Sequence, residues 1–342
     1  MSFSKNTLSK VRFGIIGTNS IVDKVLEGAR LDSRFEPVAI YSRTQEKADR
    51  FAQKHNIPHT FTSLEEMASS PVIDAVYIAS PNSCHASQSI LFMDHGKHVL
   101  CEKPLASNTH EVKEMILASE RNNVALMEAM KPTLTPNFLA IKDHLKSIGT
   151  IRRYFSCYCQ YSSRYDKLKE GIILNAFDPT LSNGAVMDIG VYTIYPMVVL
   201  FGRPKEIDAT GLLLSTGVDG QGAVNFVYDG MNATVLYSKI ADSSLPTEIQ
   251  GEAGTITSDR INIISKVTLR KRGSDKDIEV SSPNLFHEYY FEVAEFINLI
   301  EEGRRESLIN SHKNSLITIE IVDEIRRQLR VSYPADKDST AG

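Results

Sequence analysis

Two α/β domains are predicted for this chain: an N-terminal doubly wound parallel sheet, and a C-terminal α/β domain built on a large, mostly antiparallel open sheet. Three observations carry this prediction. Short apolar runs alternate with amphipathic helical patterns through the first 131 residues, the order that builds a parallel sheet with helices on both faces. Beyond Pro204 the period switches to that of strands, with Asp219-Gly220 and Asp229-Gly230 as hairpin signals. A length of 342 residues exceeds a typical single core. The expected division is 1–131, 132–331 and a frayed tail over 332–342, with the last helix able to pack back on the first domain.

Taken in order, Val11 to Gly17 is a buried strand entering a turn, and further strands are expected at Glu36 to Ser42, Ile73 to Ser80, His98 to Cys101 and Val124 to Glu128. Between them, Gln45 to Asn56 puts Ala48, Phe51 and Ala52 on one helical face; His85 to His95 and Asn108 to Asn122 follow the same period. Asn108 is a candidate N-cap, and Ser63-Leu64-Glu65-Glu66 reads as a capping box. In the second half, strands are expected at Ala209 to Leu214, Gly222 to Tyr228, Asn232 to Ile240 and Thr247 to Ile256. Helices return at His287 to Glu302 and Ser311 to Leu329, and Ala335 to Gly342 is expected to fray.

Composition excludes several function classes. The chain is 42% hydrophobic and 23% charged, ordinary for a globular protein. Its 38 Lys and Arg against 42 Asp and Glu give a net charge of −4, well mixed along the chain, so no nucleic-acid partner is expected. No apolar run is expected to reach the about 20 residues of a membrane helix, and no signal-peptide core follows Met1. A cytoplasmic protein without a membrane partner is therefore expected. Cys84, Cys101, Cys157 and Cys159 are too few and scattered for a disulfide framework or a zinc site, so no metal is expected.

In a doubly wound sheet, ligands bind beyond the carboxyl ends of the strands. After the first strand, Gly17-Thr18-Asn19-Ser20-Ile21-Val22 aligns with G-x-G-x-x-G but keeps only its first glycine. An ordinary strand-to-helix turn fits these residues about equally well. The helix N-terminus nevertheless offers backbone N–H groups to a phosphate, making Gly17, Thr18, Asn19, Ser20 and Ile21 cofactor candidates. After the second strand, Ser42, Arg43 and Lys47 stand where an NAD enzyme would carry an acidic residue for the ribose. Hydroxyl and guanidinium suit a 2′-phosphate, favouring NADP with NAD possible; a solvated face is the lesser alternative for Arg43. A later strand ends in Ser80-Pro81-Asn82-Ser83-Cys84-His85. Pro81 is expected to shape a crevice wall, and Asn82 and His85 to meet phosphate or ribose, or simply to start a helix.

Lys103, in His98-Val99-Leu100-Cys101-Glu102-Lys103-Pro104-Leu105, follows a strand and aims an ammonium from a sheet edge. Beside a nucleotide-type turn, this suits a dehydrogenase whose lysine holds the reacting hydroxyl or carbonyl. Farther on, Asp188 and Tyr192 lie four apart in an apolar helical run, a spacing that stacks two side chains on one face. A helix cap and a core aromatic explain the same pair. Tyr161, Arg164, Tyr165 and Asn175 precede that helix and are candidates for the pocket lining, as are Phe177 and Tyr195 should the substrate be a ring.

The order of these elements, with Met127-Glu128-Ala129-Met130 between Glu102-Lys103-Pro104 and Asp188-Ile189-Gly190-Val191-Tyr192, resembles the Gfo/Idh/MocA family from about Val11 to about Leu329. It looks most similar to members of the dihydrodiol and xylose dehydrogenase type. The resemblance implies a Rossmann domain, a C-terminal open-sheet domain, and NAD(P)-linked oxidation of a secondary alcohol on a sugar, polyol or cyclic diol. It implies Lys103, Tyr192 and Asp188 as catalytic residues, with the Lys103 ammonium lowering the tyrosine pKa and Asp188 orienting the lysine or the substrate. Glu102 is expected to anchor its turn and approach the nicotinamide ribose. The chain departs from the pattern at Asn19, at Val22 and in Lys131-Pro132-Thr133-Leu134. A homodimer or homotetramer through the open sheet is expected. Two other readings stand beside this one: a non-catalytic regulator sensing NADP or a sugar, and an NAD-dependent glycoside-cleaving enzyme.

Overall fold

The structure, a computed structural model, describes residues 10–283 and 286–337. The first half runs β1 (Val11–Ile16), α1 (Ser20–Ala29), β2 (Phe35–Tyr41), α2 (Gln45–His55), β3 (His59–Phe61) and α3 (Leu64–Ser69). It continues through β4 (Ala75–Ile78), α4 (His85–Asp94), β5 (His98–Glu102), α5 (Thr109–Asn122) and β6 (Leu126–Ala129). The six strands pair in parallel in the order β3-β2-β1-β4-β5-β6. The order reverses between β1 and β4, which opens a crevice where their carboxyl ends diverge. Helix starts are fixed locally. Asn19, Ser63 and Asn108 each accept a backbone N–H with the side chain, satisfying donors that a first helical turn leaves unpaired.

The second half contains α6 (Pro136–His144), β7 (Ile151–Cys159), α7 (Ser163–Lys169), α8 (Val191–Phe201), β8 (Glu206–Leu213), β9 (Asp219–Val227) and β10 (Asn232–Ser238). It then runs through β11 (Thr247–Gly251), β12 (Gly254–Ser258), β13 (Val267–Lys271), β14 (Asp277–Glu279), α9 (Tyr290–Glu301) and α10 (His312–Leu329). The eight strands order as β14-β13-β12-β11-β7-β10-β9-β8, antiparallel except between β7 and β10. Alternate residues Tyr154, Ala233, Val235, Tyr237, Val224 and Phe226 are buried beneath the helices. On the opposite face, Asn232, Thr234 and Leu236 stand in register with Arg153, Phe155 and Cys157.

Several expectations are corrected here. Strand β7, the centre of the second sheet, was not expected, because Arg152, Arg153 and Ser156 hide its period and Ile151 is its one β-branched residue. The single strand expected over Thr247 to Ile256 is two, joined by a tight turn after Gly251. Asp219-Gly220 is not the hairpin turn; Gly217, at φ 85°, supplies the left-handed conformation instead. Asp219 turns inward, fully buried, and its carboxylate accepts N–H bonds from Ala185 (3.1 Å) and Val186 (2.8 Å). The helix expected from His287 begins at Tyr290.

The apolar stretch Pro179–Phe201 is, contrary to expectation, long and apolar enough by composition to cross a membrane. Its residues are 72% buried against the second sheet and α10, the environment of a core helix. Within it, Val186–Gly190 forms a π turn rather than regular α-helix, and the Val191 N–H reaches back to the Val186 carbonyl.

The two halves share helices. Phe296 of α9 packs on Phe13 of β1, with ring centroids 6.0 Å apart, so α9 covers one face of the first sheet together with α1. The exposed edge of β6 is closed by the chain entering α10, where Leu126 donates to the Arg305 carbonyl and its own carbonyl meets His312 Nε2. The tail expected to fray is anchored as far as it is described. Tyr333 is buried, its hydroxyl donates to the Asn183 carbonyl (3.0 Å), and Asp336 pairs with Arg326 at 2.8 Å. Residues 338–342 of the expected tail lie outside the described residues.

Candidate active site

A cleft of about 740 Å³ lies between the carboxyl edge of the first sheet and the helix side of the second, a size suited to a small ligand beside a cofactor. Its floor on the first side is backbone. Gly17 sits at φ 115°, and a Cβ there would come 2.7 Å from the Ala79 carbonyl oxygen, so this turn admits glycine alone. Asn19 replaces the second glycine and binds the turn together, its oxygen accepting from Ile21 and Val22 N–H and its amide donating to the Ala79 carbonyl at 3.0 Å. Val22 replaces the third glycine and is buried in the core.

Of the cofactor candidates, Asn19, Ser20, Ile21, Ser80, Asn82, His85, Glu102 and Lys103 line this cleft. Thr18 is exposed next to them. Ser42 is buried at the end of β2, and its N–H donates to the Phe61 carbonyl. Arg43 and Lys47 are exposed beyond β2, outside the cleft lining, and among the described residues Arg43 makes no ion pair. Pro81 is exposed and does not form the wall expected of it. His85 is also corrected: its ring is buried, with Nδ1 2.9 Å from the Pro104 carbonyl and Nε2 3.0 Å from the Ser80 carbonyl, so the ring is held between two backbone carbonyls and its neutral form donates to one of them. The Asn82 amide is spent on the Ser182 carbonyl, 2.8 Å away, tying the two halves together.

Lys103, after β5 and joined to Pro104 by a cis peptide, crosses the cleft. Its ammonium donates to the Asp188 backbone carbonyl at 2.7 Å and to Asp188 Oδ1 at 3.0 Å. The π turn presents both acceptors to it. Burial would raise the Asp188 carboxyl, but the charges of Lys103 and Lys239 outweigh it and hold the group far below the ordinary carboxylate range. Tyr192, one turn on, lies beneath the ammonium, which stands 4.9 Å from the ring centroid. The expected lowering of its pKa is overturned. Burial and the nearby carboxylate of Glu102 push the phenol well above its usual value, and the Lys103 ammonium stands over the ring. Tyr192 therefore keeps its proton at neutral pH.

Glu102 accepts a hydrogen bond from the Tyr77 hydroxyl at 2.6 Å, and burial raises its carboxyl. Lys131 pairs with Glu288 at 2.7 Å on the far wall. Tyr161, Arg164 and Asn175 line the cleft as expected, whereas Tyr165 packs on Phe177, and Phe177 and Tyr195 are core residues. Sequence reasoning missed Lys239, Lys131, Glu288, Tyr158 and Tyr289. Lys239 follows an alternating strand, and a buried lysine there leaves no periodic signal.

Fold and site together define a class: an NAD(P)-linked oxidoreductase, with a dinucleotide-type turn at one end of a cleft and a lysine, a carboxylate and a phenol at the other. The residues present fit such a cofactor, since the side-chain-free Gly17 turn and the open strand ends leave room for it. The family described as "Oxidoreductase family, NAD-binding Rossmann fold" matches residues 11–130, and the GFO/IDH/MocA C-terminal domain matches residues 139–257. The scyllo-inositol 2-dehydrogenase (NADP(+)) IolU of Bacillus subtilis (strain 168) is 53% identical over 328 residues, spanning 96% of this chain and 99% of that protein. A trans-1,2-dihydrobenzene-1,2-diol dehydrogenase of Danio rerio is 33% identical over 311 residues, spanning 87% and 90%. Among solved structures, the aldose-aldose oxidoreductase of Caulobacter crescentus shares the fold at a TM-score of 0.84 and 18% identity, over 94% of this chain and 98% of that one. The chain belongs to the Gfo/Idh/MocA family, as its motif order implied, and is an NAD(P)-dependent dehydrogenase acting on CH–OH groups.

Proposed function

We propose that this enzyme interconverts a secondary alcohol and its carbonyl on a cyclic polyol, with a sugar or cyclic diol as the neighbouring substrate classes, and that it prefers NADP(H). The observation carrying the proposal is the convergence of Lys103 from one half with Asp188 and Tyr192 from the other, inside a polar cleft. The 53% identity to a protein named scyllo-inositol 2-dehydrogenase (NADP(+)) supports the polyol and the phosphate-bearing cofactor. Exposed Arg43, just beyond β2 and without an ion pair among the described residues, supports the latter independently.

The bound cofactor supplies a nicotinamide C4 that takes or gives hydride. Gly17 to Ile21 would hold its pyrophosphate, Ser42, Arg43 and Lys47 its 2′-phosphate, and Ser80 and Glu102 its nicotinamide end. In oxidation the carbinol C–H breaks with its electron pair leaving as hydride, the hydroxyl proton departs, and a C=O forms. Lys103 has two donors committed to Asp188, which leaves a third for the reacting oxygen. Tyr192 moves the proton to or from that oxygen; protonated at neutral pH, it is set to donate in the direction of carbonyl reduction.

The free thiols suit a cytoplasmic setting, and the outer face of the second sheet is the surface through which a dimer or tetramer would form. A panel of inositols, sugars and cyclic diols, assayed through nicotinamide absorbance with both oxidised cofactors, tests the proposal. Net reduction of NADP⁺ with a polyol is the expected outcome. Turnover confined to NAD⁺, or product without net cofactor reduction, would overturn it, and light scattering giving only a monomer mass would remove the assembly.

A further inference from the structure

Lys239 follows β10 and is 3% exposed, yet it has no carboxylate of its own. Its ammonium binds Asp188 Oδ2, lies 3.4 Å from the Ala176 carbonyl and stands 5.1 Å from the centroid of Phe177. Asp188 is thus shared between two lysines, one on each oxygen. Burying a second ammonium is costly unless it is well compensated, and here a single carboxylate serves both.

Other ionisable groups surround that unit. On the far wall, Glu288 is committed to Lys131. Burial raises the carboxyls of Glu102, the last residue of β5, and of Glu292 on α9, while Lys103 and the Tyr77 hydroxyl hold Glu102 toward its charged form. Asp219 of β9, raised to about 6 by burial, is engaged by the Ala185 and Val186 N–H groups. Burial keeps the phenols of Tyr158 on β7, which Arg260 also faces, and of Tyr289 neutral, and it lowers His85 on α4 toward its neutral form. Beside Tyr192, Asp188 carries one ammonium on each of its carboxylate oxygens.

We infer that Lys239 is a positioning residue of the dehydrogenase, in which a Lys103–Asp188–Lys239 unit locks the carboxylate and leaves a net positive charge at the reacting oxygen. This rests on the dehydrogenase reading given above and adds a residue to it. With Oδ2 held by Lys239, Asp188 can offer only Oδ1 and its backbone carbonyl to Lys103, so one N–H of Lys103 stays free for substrate. Without Lys239, the carboxylate turns fully onto Lys103, cancels its charge and raises the pKa of the group that must release the proton.

The test uses the full chain with NADP⁺ and the best polyol of the panel. Lys239→Met is expected to lose roughly 10²-fold in kcat/KM. Its acidic limb in the oxidation pH profile should move upward by about one unit. The dissociation constant for NADPH, followed by fluorescence, should stay within about twofold. Lys239→Arg should return the limb to its wild-type position, because it restores the cation. If Lys239→Met yields no folded protein, Lys239→Gln against Lys239→Arg carries the same comparison. A limb unmoved in the neutral variant, or one that Arg fails to restore, would overturn the inference. Wild-type turnover in Lys103→Met would instead sink the dehydrogenase reading itself, so the two failures are distinguishable.

Discussion

The two walls of the cleft are made by different means. On the first-sheet side, position is set by backbone: the φ 115° turn at Gly17, the Asn19 cap, and the histidine clasped by two carbonyls. On the second-sheet side it is set by buried charge, with Asp188 between two ammoniums and Asp219 holding the start of the helix that carries it. A backbone wall can bind a constant ligand with little sequence, whereas a wall of ions responds to protonation and can stabilise charge that appears during reaction. In the function proposed above, recognition of the cofactor falls to one side and proton chemistry to the other, and Lys103 reaches across between them.

The sharpest way to break that division is Lys103→Met, expected to cost about 10³- to 10⁴-fold in kcat/KM while NADPH titration by fluorescence gives an unchanged dissociation constant. A parallel loss of cofactor affinity would show that the lysine belongs to the binding wall alone. Tyr192→Phe should follow, with a loss of about 10²- to 10³-fold in steady-state turnover and little change in cofactor affinity. Retained turnover with an unchanged pH profile would argue against its role as a proton donor.

A stability measurement probes a buried carboxyl of the first sheet. Glu128 is buried on β6, and burial raises its carboxyl to about 7. With the native pKa above the unfolded value, the native state holds the proton more tightly. The stabilisation is full below pH about 4 and is lost as pH rises through about 7. Glu128→Gln keeps an acceptor for the Leu105 N–H and should gain roughly 3 kcal/mol relative to wild type at pH 8 compared with pH 4. Thermal melts across that range check it; parallel curves for the two proteins would refute it. The smallest effect is expected for Arg43→Ala, a rise of about tenfold in the NADPH dissociation constant with that for NADH unchanged. Equal weakening of both would return Arg43 to a plain surface role.

What the sequence disclosed follows the same division. The first sheet was readable because parallel strands buried on both faces are uninterrupted apolar runs, and its site residues fall at strand ends that topology alone marks. Arg43, Ser80, Glu102 and Lys103 could be placed on that ground. In the second half, β7 carries two arginines and a serine, so the strand around which the sheet is built left no period to detect. Lys239 was invisible because its environment is assembled from Asp188, Ala176 and Phe177, all distant in the chain. The histidine at 85 failed in the opposite direction, a polar residue in a suggestive motif whose ring is consumed by the loop it supports.

The wide turn over Val186–Gly190 has a consequence for how this protein tolerates insertion and deletion. Such a turn accommodates one residue more than regular helix, and each residue sets its neighbours about 100° around the axis. Losing Ile189 or Gly190 would bring Asp188 one position nearer Tyr192 and swing it out of step with that ring. The frame of this short stretch is thus a vernier for the chemistry, adjustable by a single codon.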